Sequence, residues 1–76
     1  MDAIVVDQAE FSARVGCSIS MASRLRSGER LPSLAMLIKI SEAFDIAYDD
    51  LMAAYRQGPV EFSACLREQA FGEPSD

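Results

Sequence analysis

Five basic side chains, Arg14, Arg24, Arg26, Arg30 and Lys39, fall between residues 14 and 39 with a single acid, Glu29, among them. Each arginine carries a planar fork of donors that fits phosphate oxygens or the O6 and N7 edge of guanine. Between and beside them stand short hydroxyl side chains, Ser18, Ser20, Ser23 and Ser27, which cap helices or exchange hydrogen bonds with a polar ligand. The chemistry on offer is recognition of a polyanion. Catalysis is not expected: the chain has no His, no thiol with a base near it in sequence, no cluster of metal ligands and no glycine-rich phosphate loop. No cofactor is expected either. The neighbours Asp49 and Asp50 point apart on a helix, so they are read as first-turn acids rather than an acid–base pair.

The formal net charge of −5 over 76 residues argues against a nucleic-acid partner only until its distribution is considered. Acids without bases precede residue 14, and acids in excess follow residue 39, so positive charge is confined to one stretch. Screening at physiological salt reaches about 8 Å. Distant acids therefore weaken sequence-independent attraction without abolishing specific contact.

The elements that must position these groups are legible in QAEFSARVGCSISMASRLRSGERLPS, residues 8 to 33. Phe11, Val15, Cys17, Ala22 and Leu25 recur at the spacings of one small core. Gly16 interrupts them where a left-handed helix cap is needed, and Ser18 and Ser20 offer caps for the next helix. The pattern is two short helices around a tight turn, followed by a basic loop. Leu34, Leu37, Ile38, Ser41 and Phe44 form the face of a third helix, with Ser33 as its cap, and Tyr48, Leu51, Met52 and Tyr55 that of a fourth. Gly58 and Pro59 punctuate the chain. Beyond them VEFSACLREQAF is amphipathic through Phe62, Cys65, Leu66 and Gln69 or Ala70, and its apolar face must be covered by the domain or by a second copy, the latter being favoured. Residues 1–58 are expected to form one domain, 59–71 this added segment, and 72–76 a disordered tail. AIVV, residues 3–6, suits a short strand.

In this order, these residues resemble the Cro and lambda-repressor-like (XRE-type) helix-turn-helix family, from about Gln8 to Leu51. Gln8 matches the start of the family's first motif helix, Phe11 and Ser12 its apolar and small positions, Gly16 the turn, and Cys17 the small apolar position after it. Ser18 and Leu25 match the beginning and the last core position of the recognition helix. Gly28, Arg30, Pro32 and Ser33 correspond to the loop, and LAMLIKISEAFDIAYDDL to the two helices that complete the domain. Departures accompany the match. The family's helix before the motif is missing or replaced by a short extended segment, Ala22 occupies a position where Ile or Val is usual and Ser12 one where Ala is usual, Asp45 stands where a capping Gly is common, and Ala47 lacks a capping hydroxyl. The resemblance implies an all-α domain of four to five short helices.

A recognition helix over about Ser18–Arg26 enters the major groove by its N-terminal end, which places Ser18, Ile19, Ser20, Ser23 and Arg24 as base readers. Arg24 is the first choice, as a bidentate partner of guanine, and Ile19 fits a thymine methyl. Gln8, Arg14, Arg26, Ser27 and Arg30 are assigned to phosphates. Against these stand plainer readings: solvated charges for Arg14, Arg26 and Arg30, a core position for Ile19, and a cap alone for Ser18. The expected function is a sequence-specific transcriptional regulator, a small Cro-like repressor of phage or prophage kind that binds an inverted repeat of double-stranded DNA as a homodimer. The alternative is a protein-interaction module, an antitoxin or anti-repressor, that engages a protein partner through the acidic C-terminal half. Cys17 and Cys65 are expected to be reduced, and with no leader or membrane-spanning run a cytoplasmic location is expected.

Overall fold

The computed structural model describes residues 6–73, which form five helices and, among the described residues, no strand. These are α1 (Gln8–Val15), α2 (Ile19–Ser27), α3 (Leu34–Phe44), α4 (Tyr48–Gln57) and α5 (Pro59–Gln69). Three helices begin with a side-chain cap: Asp7 accepts from the Glu10 N–H at 2.8 Å, Ser18 from Met21 at 3.0 Å and Ser33 from Met36 at 3.2 Å. Ala47 gives α4 no such bond, and Asp49 and Asp50 instead place negative charge in its first turn, where the helix dipole favours it. α1 ends at Gly16 with φ 85°, and α3 at Asp45 with φ 54°. Asp tolerates that left-handed geometry better than most side chains.

Phe11, Leu25, Leu37, Ile40, Leu51, Phe62, Leu66 and Phe71 are fully buried. Phe11 is the hub: its ring stacks on Phe71 at 4.7 Å and on Phe44 at 5.3 Å between centroids. The two small residues of the motif, Ser12 and Ala22, are buried in helices that pack together, and Ser12 satisfies its hydroxyl on the Ala9 carbonyl.

The segment after Pro59 is where the molecule departs most from the sequence expectation. α5 packs against both α2 and α4, and it buries Phe62 and Leu66 within its own chain instead of reserving that face for a second copy. One wall of the core around Phe11 is supplied from the other end of the sequence. Val6 and Phe71 close the ring, with the Val6 N–H donating to the Phe71 carbonyl at 2.9 Å. That single bond is no ladder, and the remainder of the AIVV segment lies outside the described residues. Gly72 and Glu73 are held in place, since the Glu73 N–H donates to the Arg67 carbonyl at 2.8 Å. The rest of the expected tail, residues 74–76, also lies outside them.

Candidate nucleic-acid interface

α2 is fixed at both ends before any ligand arrives. Ser18 caps its start and Gly28, at φ 85°, closes its end with an N–H donated to the Arg24 carbonyl. Ala22 and Leu25 anchor its inner side with no exposure. The 3.6-residue period then turns Ile19, Ser20, Arg24 and Ser27 outward, and all four are exposed, with Ser23 half-buried beside them. Ile19 is 56% exposed, so it is not a core residue. The Ser18 oxygen accepts the Met21 N–H, which leaves its hydroxyl proton free to donate. Among the described residues the Arg24 and Arg30 side chains form no ion pair or hydrogen bond, and both are exposed. Of the residues assigned to base reading, Ile19, Ser20, Ser23 and Arg24 thus lie along the outer side of α2, and Ser18 stands at its cap.

The residues assigned to phosphates are divided. Gln8 opens α1, where the first N–H groups lack intrahelical partners, but the Asp7 carboxylate already takes the Glu10 N–H and adds a negative charge at that end. Arg14 pairs with Glu10 at 2.6 Å and lies over the Phe44 ring at 5.3 Å, so its charge is engaged on α1 and α3. Ser27 Oγ lies 3.2 Å from the Arg24 carbonyl and 2.9 Å from Glu29 Oε2, two acceptors that compete for its single proton. Arg26 is held most firmly: its Nε donates to Glu73 Oε2 at 2.7 Å, Nη2 lies 2.5 Å from the same oxygen, and the guanidinium sits 5.7 Å over the Phe71 ring. Arg30 alone among the four expected charged or hydroxyl phosphate ligands keeps its donors open among the described residues.

Sequence reasoning did not find Glu73 or Arg67, which donates through Nη1 to the Arg26 carbonyl at 2.8 Å. No spacing rule links Arg26 to a carboxylate 47 residues away. Val6, Asp7, Gln8, Ala9, Ile19, Arg26 and Glu73 border a shallow depression of about 460 Å³ between the start of α1 and the flank of α2.

Cys17 and Cys65 are partly buried. Both are free, and burial pushes each thiol upward from its ordinary value, opposed at Cys17 by a backbone hydrogen bond and Lys39 and reinforced at Cys65 by Asp50 and Glu68. Among the described residues no group of His, Cys, Asp and Glu could hold a metal ion, and no helix is long and apolar enough to cross a membrane.

A capped helix, a left-handed glycine turn and a second capped helix with an open outer side are the parts of a DNA-reading motif. The profile of the helix-turn-helix family matches residues 6–51, covering this motif, α3 and the first turn of α4. The chain belongs to the helix-turn-helix family. Its similarity to the cryptic phage CTXphi transcriptional repressor RstR of Vibrio cholerae is 37% identity over 49 residues, 64% of this chain and 44% of that protein. The chain thus spans less than half the length of that relative. No solved structure matches. In this helix-turn-helix, α1 and α2 are the motif, α3 and α4 its support, and α5 an addition beyond the matched span. The family is one of DNA-binding regulators, not of enzymes.

Proposed function

We propose that this chain is a sequence-specific transcriptional regulator, a small repressor of the Cro kind that reads an inverted-repeat operator as a dimer. The observation that carries the reading is the outer side of α2, where Ile19, Ser20 and Arg24 are exposed on a helix capped at both ends. Arg24 has the donor geometry for guanine O6 and N7, Ile19 the apolar surface for a thymine methyl, and Ser18, Ser20 and Ser23 short reach suited to direct or water-mediated bonds. Arg30, with the Gln8 and Ala9 N–H groups that the Asp7 cap leaves open, grips the flanking backbone and sets register.

A symmetric operator calls for a two-fold reader. Two-fold readers place their recognition helices about 34 Å apart, one turn of the duplex. A protomer of 34 × 26 × 22 Å set beside its copy has the size to meet that spacing. The similarity to a phage transcriptional repressor agrees with control by occupancy. The decisive experiment is selection of binding sites from a random duplex library by the purified chain. Enrichment of an inverted repeat supports the proposal, and recovery of no common sequence contradicts it.

A further inference from the structure

Arg26 lies seven residues after Ile19 on α2, two helical turns along the same stripe, and both border the depression beside the start of α1. The phosphate backbone flanking a groove entered by α2 would pass this edge. Yet the Arg26 guanidinium already holds an anion: two of its nitrogens converge on one Glu73 oxygen. Glu73 is itself positioned by Arg67, whose carbonyl accepts the Glu73 N–H while its guanidinium donates to the Arg26 carbonyl. The side chains of the pair keep 38% and 24% of their exposure. Pairs open to solvent in this way contribute little to stability. Their consequence is electrostatic, at the edge of the reading helix.

We propose that Glu73 is a specificity-determining residue: by holding Arg26, it removes one positive charge from the sequence-independent grip on DNA while leaving Arg24 free to read bases. This rests on the reading of α2 as the DNA-reading helix. Attraction to any duplex grows with each phosphate neutralised, whereas discrimination comes from base edges. A carboxylate that silences a flanking arginine lowers the first without touching the second.

The test is binding of the full chain to a random-sequence duplex of about 20 base pairs, followed by fluorescence anisotropy over a salt series. For Glu73→Gln, the plot of log K against log salt steepens by about 0.9, the increment for one added phosphate, and affinity near 0.15 M salt rises roughly fivefold. Adding Arg26→Gln to that variant cancels the gain. Equal slopes for wild type and Glu73→Gln, or a gain that survives in the double variant, overturn the proposal. A measurement on the wild type alone guards against a variant that fails to fold. The NMR resonance of the Arg26 Nε–H should stay in place as random duplex is added while that of Arg30 moves, and a shift of Arg26 as large as that of Arg30 overturns the proposal. A wild type that binds no duplex at low salt defeats the DNA reading itself; one that binds, with Glu73→Gln unchanged, defeats only the role of Glu73.

Discussion

Arg24 and Arg26 are two residues apart, and their surroundings give them opposite tasks. The first is exposed without an ion-pair partner among the described residues, and the second is tied to Glu73. Arg24→Ala is therefore expected to reduce the preference for the selected operator over random DNA by about 1–3 kcal/mol, the worth of one bidentate base contact. Competition titrations measure it, and unchanged discrimination removes Arg24 from the reading set. Two of the helix-ending glycines, Gly16 and Gly28, make a second pair of contrasts. At Gly16 an added Cβ meets nothing within 4 Å, so Gly16→Ala should cost only the left-handed backbone penalty of about 1–2 kcal/mol. At Gly28 the same atom would lie 3.1 Å from Ser63 Oγ and 3.4 Å from the Val60 backbone, so Gly28→Ala should cost more in urea unfolding. Equal losses would show that α5 does not press on the end of α2. The thiols supply a pH effect. A folded-state value raised above 9.0 means that the stability Cys17 and Cys65 contribute is complete below that pH and declines as pH climbs through the raised folded values. The decline should shrink in Cys65→Ala if the thiol is its source.

At the scale of elements, α5 carries the largest consequence. Phe62, Leu66 and Phe71 are wholly buried, and the α5 helix touches both α2 and α4. Truncating Phe62 to Ala is expected to cost about 3–5 kcal/mol, a large part of the roughly 5–15 kcal/mol available to a small domain. Deleting residues 60–76 should abolish the cooperative thermal transition, even though the whole family-matched span 6–51 remains. A truncated chain that melts cooperatively at the parent temperature would show that α5 is an appendage. The polar residues on this interface follow the same design: Ser63 donates to the Val60 carbonyl at 2.7 Å and accepts from Arg67 at 3.3 Å, so burying it leaves no orphan hydroxyl.

For the whole molecule, the positive stretch offsets the net charge of −5 only in part, because two of its five bases are paired with Glu10 and Glu73. The remaining bases are few, so random-sequence binding should be weak and its salt slope shallow, corresponding to only a few phosphates. The dimer proposed above cannot use the apolar side of α5, which the protomer consumes. Exposed apolar side chains remain at Leu34, Ile38 and Val60. Sedimentation of the chain with its selected operator should give two protomers per inverted repeat, and a single protomer per repeat would contradict the symmetric reading.

Local chemistry was enough to announce the helices and the motif. A serine or aspartate before an apolar period, a glycine at a left-handed end and charges grouped in one stretch act over three or four residues, so they are written directly in the order of the chain. The exposure of Ile19, Ser20 and Arg24 follows from the same period once Ala22 and Leu25 face inward. Tertiary packing alone decided that Arg26 is engaged, whereas the Arg14 partner lies only four residues away. Glu73 reaches Arg26, and Phe71 reaches Phe11, only because α5 folds back across the bundle, and contacts between residues so far apart in the chain leave no periodic trace in sequence.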